Sequence, residues 1–356
     1  MGSHLILVIN PGSTSTKVAV YEDDRPLLVG QAGHKVEELE AFAGVAAQAP
    51  LRRRAVLDLL AEAGIELAGL SAVVGRGGLL KPVAGGTYSI NQAMLADLRE
   101  ARRGEHAANL GGLIAAEIAG RLRVPAYVVD PVSVDEMEPV ARLSGLPEIE
   151  RRSLLHALNI KASARRAADG LGRSLPELNL IVAHLGGGIS ICPLAGGRMV
   201  DVNNANEEGP FSPERAGGLP SASLVQLCFS GRYGQDELLR RLTARGGMVA
   251  YLGTNDFQEA LDRARAGDRL AALVIEAMAY QIAKEIGAMA TVLRGRVDAV
   301  VITGGLARST EFVDLIKPRV AFIAPILVYP GEDEMAALAA GARRALTGEE
   351  PARDYQ

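Results

Sequence analysis

Short apolar runs alternate along the chain with longer amphipathic segments, and this alternation predicts an α/β fold. Buried strands are predicted for the apolar runs at 72–74, 126–129, 180–183, 299–303 and 326–328. Apolar residues at helical spacing predict three helices, at 107–121, 149–168 and 268–294. A last helix is predicted to start near Asp333, because acidic residues suit a helix N-terminus, and the polar tail from Thr347 is predicted to fray.

Two apolar hairpins occur about half a chain apart. The first is LILVINPGSTSTKVAVYEDDR from Leu5, and the second is LNLIVAHLGGGISICPL from Leu178. Each reads as a strand, a turn rich in glycine or hydroxyl groups, and a second strand. Aligning Asn10 with His184 gives an offset of 174 residues in a chain of 356. The offset predicts two copies of one α/β unit facing a shared cleft, and the alternative is a chance match of two hairpins.

The turn of the first hairpin, NPGSTSTK, carries more hydrogen-bond donors than a turn needs. Backbone N–H groups of a tight turn bind phosphate, and hydroxyl and lysine donors add to them. No lysine directly follows a glycine, so a Walker-type loop is absent, and no G-x-G-x-x-G follows a strand. The donors that this turn offers to an anion are Asn10, Ser13, Thr14, Thr16 and Lys17.

Glycines mark two further turns. The turn of the second hairpin, HLGGGIS, contains His184 and three glycines, and glycine lets a backbone approach an anion closely. A third cluster, Gly304 and Gly305 in VDAVVITGGLARS, follows an apolar run, where small residues would let adenine and ribose lie against the backbone. The alternative for this cluster is an ordinary strand-to-helix turn. The glycines of the second turn are Gly186, Gly187 and Gly188.

These three segments, in this order, resemble the phosphate-1, phosphate-2 and adenosine motifs of one superfamily. It comprises the acetate and sugar kinases, the heat-shock chaperones and actin. The resemblance implies an α/β protein of two duplicated ribonuclease-H-like (actin-like ATPase) domains with an interdomain cleft. The implied N-terminal lobe is 1–148 plus a returning C-terminal helix at 335–356, and the implied C-terminal nucleotide-binding lobe is 149–334.

Longer strings narrow the resemblance to the acetate kinase (acetokinase) family. They are VVGRGGLLKP, VVDPVSVDEMEP, RRSLLHALNIKASAR, HLGGGISI, VDVNNANEEGPFSPERAGGLP and VITGGLARSTEFV, and the likeness runs from about Leu5 to Leu346. Within the family, the strings are similar to the members that phosphorylate butyrate. The resemblance implies reversible, direct in-line phosphoryl transfer from ATP to butanoate, giving butanoyl phosphate and ADP with Mg²⁺ as cofactor. It also implies a homodimer or a higher homo-oligomer.

The resemblance assigns the stabilisation of transferred charge to two arginines and a histidine. Arg76 lies between glycines after an apolar run, and Arg215 lies in the turn-rich SPERAGG. Guanidinium groups neutralise phosphoryl oxygens bidentately, although a surface salt bridge is the alternative for each. His156, in the apolar stretch LLHAL, would hydrogen-bond the same phosphoryl group; the stretch alone indicates a core histidine. His184 would contact phosphate or only shape the second turn.

The resemblance also implies a magnesium site. Glu334, in PGEDEM, and Asp130, directly after an apolar run, are the implied carboxylates, with Asn10 from the first turn. The resemblance also implies a catalytic role for Asp130. Mg²⁺ takes one or two protein carboxylates and keeps several waters, so this set suffices. The alternatives are that Glu334 only serves a helix N-terminus, or that the role falls to Glu332 or Asp333.

Two strings depart from the acetate kinase pattern. Where acetate kinases have a second histidine in an HGTSH-like string, this chain has HALNIKA, with Lys161 in that region. Where they have DFR in the nucleotide region, this chain has Asp256, Phe257 and Gln258. Asp256 is still assigned to the nucleotide, but Gln258 replaces the arginine that touches it. Both departures favour the butyrate branch.

Composition excludes several other classes. Hydrophobic residues make up 48% and the net charge is −4, so a globular core is expected and a nucleic-acid partner is not. The arginine runs at 52–54 and 240–241 are predicted to be solvated helix faces. No apolar stretch approaches a membrane span. Cys192 and Cys228 lack metal or redox spacing, which favours core positions in a reducing cytoplasm.

Two rival functions stay open from the sequence. One is a kinase for another short acid: isobutyrate, propionate or acetate. The other is a non-catalytic nucleotide switch of the actin or chaperone type, although such proteins lack the GPFSPERAGGLP arginine loop that this chain has.

Overall fold

A computed structural model of the chain describes residues 3–356, which form two compact units. The first unit comprises the chain up to Asp135 together with Asp333–Gln356, and the second comprises Glu136–Glu332. The sequence placed these boundaries after residues 148 and 334. The segment from Glu136 belongs with the second unit because the Glu136 carboxylate accepts hydrogen bonds from Lys161 and from the Met199 amide.

Strands and helices alternate in both units. The strands are β1 (Leu5–Pro11), β2 (Ser15–Glu22), β3 (Arg25–Gly33), β4 (Ala72–Arg76), β5 (Thr87–Ser89), β6 (Ala126–Val129), β7 (Asn179–Leu185), β8 (Ile189–Ala195), β9 (Arg198–Met199), β10 (Ala299–Gly304), β11 (Ile326–Pro330) and β12 (Arg353–Asp354). The helices are α1 (Val36–Glu40), α2 (Ala49–Glu62), α3 (Gln92–Glu100), α4 (Asn109–Leu122), α5 (Pro139–Arg142), α6 (Ala157–Leu171), α7 (Ser221–Cys228), α8 (Gln235–Thr243), α9 (Gly247–Leu252), α10 (Phe257–Arg265), α11 (Arg269–Val292), α12 (Thr310–Val320) and α13 (Glu334–Thr347).

The two sheets repeat one pattern. Among residues 3–356, the first unit holds a seven-stranded sheet in the order β12-β5-β6-β4-β1-β2-β3 and the second a five-stranded sheet in the order β11-β10-β7-β8-β9. In each sheet an antiparallel hairpin, β1–β2 or β7–β8, has its first strand paired in parallel with a later strand, β4 or β10. The predicted duplication of one α/β unit is therefore confirmed.

Each unit buries its own apolar core. The inner strands β1, β4, β7 and β10 are almost fully buried, as continuous apolar runs in parallel sheets should be. The long helix α11 covers the second sheet, with Asp268 capping its N-terminus by accepting from the Leu270 and Ala271 amides. None of the described helices combines the length and the apolar character needed to cross a bilayer.

Several sequence predictions need correction. Residues 326–328 are only half-buried, because β11 is the edge strand of its sheet. The predicted helix at 149–168 begins only at Ala157, since the Arg151 side chain ties the preceding segment to Asp201, Glu208 and loop carbonyls. Cys192 is buried as predicted, but Cys228 is exposed, because α7 has no buried residue.

The C-terminal tail is docked, not frayed. Strand β12 pairs in parallel with β5, and Tyr355 is buried beside it. The Tyr355 hydroxyl donates to Asp97 at 2.7 Å and accepts from the Lys81 amide at 2.9 Å. Burial and then Asp97 raise the pKa of Tyr355 to about 12. Strand pairing and a buried tyrosine thus hold a tail that its polar composition predicted to fray.

Removing this hydroxyl is expected to destabilise the first unit. Tyr355→Phe removes the hydroxyl donor of the largely buried Asp97 carboxylate and leaves it Lys81 Nζ at 3.6 Å, which should lower the free energy of unfolding by ~1–3 kcal/mol at neutral pH. The Tyr355 hydrogen bond lowers the pKa of Asp97, so this stabilisation is lost as pH falls through that pKa. Urea denaturation should show the loss at pH 7 and a smaller one in acid. Tyr280→Phe, 46% exposed, is the control, and equal effects would contradict the assignment.

Candidate active site

The first turn joins β1 to β2 and carries polar groups at the end of these two strands. Ser13 and Thr14 are exposed at its tip, and the Gly12 amide closes the turn on the Ser15 carbonyl at 2.8 Å. Lys17 pairs with Asn10 across the hairpin and is also exposed. Thr16 differs from the prediction, because its buried hydroxyl contacts the His34 ring at 2.9 Å. Strand alternation puts Thr16 and Lys17 on opposite faces.

Arg52 lies beneath this turn, and the sequence analysis missed it. It was predicted to be a solvated residue of the 52–54 run, but it is 1% exposed. Its guanidinium donates to the carbonyls of Gly12, Ser13 and Ser15. A signal was available: Arg52 is at the i position of an i, i+4, i+8 stripe whose other members are buried.

Arg76, Glu334 and Asn10 meet in the first unit. Arg76 ends β4, Glu334 begins α13, and the Arg76 guanidinium pairs with Glu334 Oε1. Asn10 Nδ2 donates to Glu334 Oε2 at 2.8 Å. The Arg76 and Glu334 side chains are 11% and 25% exposed, so the ion pair lies at the surface of the core. Residues 324 positions apart in sequence are thus in direct contact.

Close backbone packing around Arg76 explains the glycines of VVGRGGLL. A Cβ on Gly75 would lie 2.1 Å from the Gly111 carbonyl oxygen, and a Cβ on Gly78 would lie 2.0 Å from Asn109 Oδ1. Helix α4 therefore begins directly against the end of β4. Burial, and then the charge of Arg76, lower the pKa of His106, which lies just before this helix.

Asp130 follows β6 and is almost fully buried. Its φ of 38° is in the left-handed region that non-glycine residues rarely adopt. Its carboxylate accepts from the Gly86 amide at 2.7 Å, while its own amide donates to the Gly86 carbonyl at 3.0 Å. At least one carboxylate oxygen therefore links the end of β6 to the start of β5, which are antiparallel neighbours, a role that the sequence did not predict.

The second turn joins β7 to β8 and lies beside two stacked histidines. The rings of His156 and His184 are 3.8 Å apart with an interplanar angle of 13°. His184 Nδ1 donates to Asn159 Oδ1 at 2.7 Å, and His184 Nε2 lies 3.2 Å from a Glu332 carboxylate oxygen without hydrogen-bond geometry. A Cβ on Gly186 would contact both His184 and Glu332.

His156 is the N-cap residue of α6 and lies outside the helix, contrary to the helical position predicted for it. Its Nδ1 is 3.0 Å from the Ser190 hydroxyl on β8, so the ring is fixed by a hydrogen bond and by stacking on His184. His156 is half-buried, and both of these contacts hold its ring at the N-terminus of α6.

Arg215 packs directly on the second turn. A Cβ on Gly188 would lie 2.1 Å from Arg215 Nη1, so only glycine leaves room for this guanidinium. Ser212 fixes the loop by donating to the Gly187 carbonyl at 2.5 Å and accepting from the Arg215 amide. Arg215 Nε is buried with no hydrogen-bond partner among residues 3–356. Burial lowers the pKa of Arg215, and Glu214 opposes that shift. One donor of this guanidinium is therefore unused within the part of the chain that the structure describes.

The remaining residues that the sequence assigned to the nucleotide are Gly304, Gly305 and Asp256, and two of them have a structural role of their own. Gly304 has a φ of 92°, and a Cβ there would lie 2.3 Å from the Leu185 carbonyl oxygen, so packing requires glycine. Gly305 is exposed, and a Cβ there would meet nothing within 4 Å. Asp256 caps α10 by accepting from the Gln258 and Glu259 amides. Gly305 thus leaves open space next to β10.

Lys161, in the string that departs from acetate kinases, is buried and structural. It donates to Glu136 at 2.8 Å and to the Gly197 carbonyl at 2.7 Å, with both charged side chains less than 10% exposed. The pair fixes α6 to the β8–β9 turn. Lys161 therefore serves internal packing in this chain.

Solved structures define the class to which this architecture belongs. The acetate kinase from Porphyromonas gingivalis superposes with a TM-score of 0.82 at 20% identity, covering 96% of this chain and 100% of that one. The chain thus has the acetate kinase fold, and the predicted fold class of two duplicated α/β units is confirmed.

Sequence comparison gives the family. A "Probable butyrate kinase 2" from Caldanaerobacter subterraneus subsp. tengcongensis is 54% identical over 350 residues, 98% of this chain and 99% of that protein. "Butyrate kinase 1" from Clostridium acetobutylicum is 50% identical over 352 residues, 99% of both chains. The Acetokinase family model matches residues 149–321. The chain belongs to the acetokinase family.

Proposed function

We propose that this protein is a short-chain fatty acid kinase that converts butanoate and ATP reversibly into butanoyl phosphate and ADP. The observation that carries the proposal is the full-length identity of 50–54% to butyrate kinases. Arg215 supports it, because its partly unpaired guanidinium packs against a glycine turn, an arrangement suited to an anion.

The reaction needs positioning and charge stabilisation more than proton transfer. A butanoate carboxylate is already ionised at neutral pH, so its oxygen attacks the γ-phosphorus without a general base. The new O–P bond forms as the bond to the ADP oxygen breaks. Arg76 and Arg215 are the candidates for stabilising the equatorial oxygens, with a hydrogen bond from His156. The turns with Ser13 and Thr14, and with Gly186 to Gly188, are the candidates for holding the phosphates.

Glu334 and Asn10 are the proposed protein contacts of Mg²⁺, with Asp130 as a second carboxylate. Carboxylate and amide oxygens suit this ion, and Glu334 is partly exposed beside Asn10. Within residues 3–356, no cluster of three or more acidic, histidine or cysteine side chains could hold a metal alone. That fits an ion held mainly by phosphates and water. When bound, the ion neutralises phosphate charge.

Loss of Glu334 is expected to raise the magnesium concentration that the protein needs for activity. Glu334→Ala should raise the Mg²⁺ concentration for half-maximal rate by about tenfold or more, because a charged contact is lost. Initial rates across a magnesium titration measure this, and Asp130→Asn should shift in the same direction. Glu332→Ala is the neighbouring control. A shift in Glu332→Ala with none in Glu334→Ala would move the role to Glu332.

A hydroxylamine trap tests the proposed function. Butanoate, ATP and Mg²⁺ should give butanohydroxamate in proportion to the ADP formed, because hydroxylamine captures the acyl phosphate. ADP formed without any hydroxamate, from any short acid, would contradict a kinase and favour the nucleotide-switch alternative.

The preferred acid should follow the size of an apolar pocket. Butanoate has two more methylene groups than acetate, and at ~0.8 kcal/mol for each one buried this favours butanoate by about fifteenfold in kcat/KM. Isobutyrate should be close to butanoate, and acids longer than valerate should decline because overfilling is costly. The measurement is kcat/KM from acetate to hexanoate at fixed ATP. A maximum of kcat/KM at acetate would contradict butanoate as the preferred substrate. A maximum at isobutyrate would keep the pocket argument and make isobutyrate the substrate.

A further inference from the structure

Arg52 is a buried arginine whose donors are all used. It lies in the first turn of α2 and is 1% exposed. Nη1 donates to the Gly12 carbonyl at 2.7 Å and to the Ser15 carbonyl at 2.9 Å, and Nη2 donates to the Ser13 carbonyl at 2.8 Å. The remaining N–H groups, on Nε and Nη2, point to the Gln48 side-chain oxygen at 3.2 and 3.0 Å. One side chain therefore fixes three carbonyls of the first turn.

These hydrogen bonds determine where the amides of the turn point. In a planar trans peptide the C=O and the following N–H point in opposite directions. Because the carbonyls of Gly12 and Ser13 face Arg52, the amides of Ser13 and Thr14 face away from it, on the side where both residues are exposed. Successive amides directed to one side form an anion-binding concavity.

Arg52 also carries a charge that no carboxylate among residues 3–356 pairs with. Its hydrogen-bond acceptors are backbone carbonyls, the Gln48 amide oxygen and, at 3.4 Å, the Thr16 hydroxyl, and none is a carboxylate. Burial alone lowers the pKa of Arg52, and the charge of Arg52 helps to lower the pKa of His34, whose ring contacts Thr16. A buried positive charge next to the turn favours an anion on its other side.

We propose that Arg52 is a positioning residue for the phosphoryl group: it holds the first turn so that the Ser13 and Thr14 amides face the anion. The guanidinium touches no reacting atom and acts through the turn. This role rests on the proposed function, because the anion is taken to be a phosphate of ATP. A merely structural arginine would hold the hairpin in the fold without affecting the turnover of folded molecules.

The experiment compares Arg52→Ala and Arg52→Lys with the same changes at Arg54. Arg54 is two residues further along α2, 78% exposed and paired with Asp58, so it is a matched control. Rates are expressed per folded molecule, well below the melting temperature of each variant. Arg52→Ala should lose kcat by about a hundredfold, as misplaced reacting groups typically do. Arg52→Lys should recover little of it, because an ammonium cannot reproduce the planar fork.

Added guanidinium ion distinguishes positioning from general destabilisation. At constant ionic strength it should restore part of kcat in Arg52→Ala, and it should not raise kcat in Arg54→Ala or in the parent. Folded Arg52→Lys with the kcat and the KM for ATP of the parent would overturn the proposal, and this variant keeps the test valid if Arg52→Ala does not fold.

Failure of the proposed function would be seen separately, as a parent protein that yields no acyl hydroxamate. The positioning role of Arg52 would then be tested by measuring the affinity for MgATP by calorimetry. Weaker binding by Arg52→Lys than by Arg54→Lys would support the positioning role, and equal binding would overturn it.

Discussion

Arg215→Ala is expected to lower kcat by about a hundredfold or more while the protein stays folded. An electrostatic group aimed at transition-state charge typically contributes ~2.7–4 kcal/mol. Arg215 is suited to this task because it is partly buried and its Nε has no hydrogen-bond partner in the described range 3–356. Arg76→Ala should have a similar effect, although there the loss of the ion pair also frees Glu334.

Steady-state kinetics measure kcat for the Arg76 and Arg215 variants, and thermal melting shows whether each variant is folded. Arg→Lys should rescue either site poorly, because one ammonium cannot bind two phosphoryl oxygens as a fork. Arg232→Ala, at an exposed position of the second unit, and Arg54→Ala in the first unit should leave kcat near that of the parent. Normal turnover in folded Arg215→Ala or Arg76→Ala would remove that residue from the mechanism.

Gly188→Ala should inactivate the protein almost as strongly, through Arg215. The added Cβ would lie 2.1 Å from Arg215 Nη1 and 2.7 Å from Cζ, and real contacts are never this short. The guanidinium must therefore move, and a displacement of about 1 Å at a reacting group can cost about a hundredfold in rate. The φ of Gly188 is not in the left-handed region, so backbone strain does not explain the effect.

A double mutant tests whether the effect of Gly188→Ala passes through Arg215. If it does, Gly188→Ala combined with Arg215→Ala should be no slower than Arg215→Ala alone. Gly287→Ala, in the middle of α11 with nothing within 4 Å of the added Cβ, is the control and should leave kcat unchanged. Independent, multiplicative losses in the double mutant would contradict the proposed coupling.

The sequence predicted what local pattern controls. The hairpins β1–β2 and β7–β8 follow from apolar runs interrupted by glycine and hydroxyl residues, and the buried strands β4, β6, β7 and β10 follow from continuous apolar runs. The start of α13 also follows, because Asp333 is found at its N-cap. These features depend on neighbours within a few residues, and such neighbours are visible in the sequence.

Contacts between distant residues account for what the sequence missed. Arg52 looked like a solvated arginine because its partners, the carbonyls of the first turn, are backbone atoms that no side-chain pattern reveals. The tail was predicted to fray because its contacts are with distant residues, such as the hydrogen bond of Tyr355 to Asp97, 258 residues away. Gly188 was assigned to phosphate binding. That it must be glycine to leave room for Arg215 becomes visible only once the loop that carries Arg215 is folded.

The reverse reaction tests the central proposal most directly. Purified protein is supplied with butanoyl phosphate, ADP and Mg²⁺, and ATP is measured alongside the loss of the acyl phosphate. The account predicts one ATP for each butanoyl phosphate consumed, and little ATP from Arg215→Ala. Consumption of butanoyl phosphate without ATP, or no consumption by a protein that still binds ADP, would contradict it.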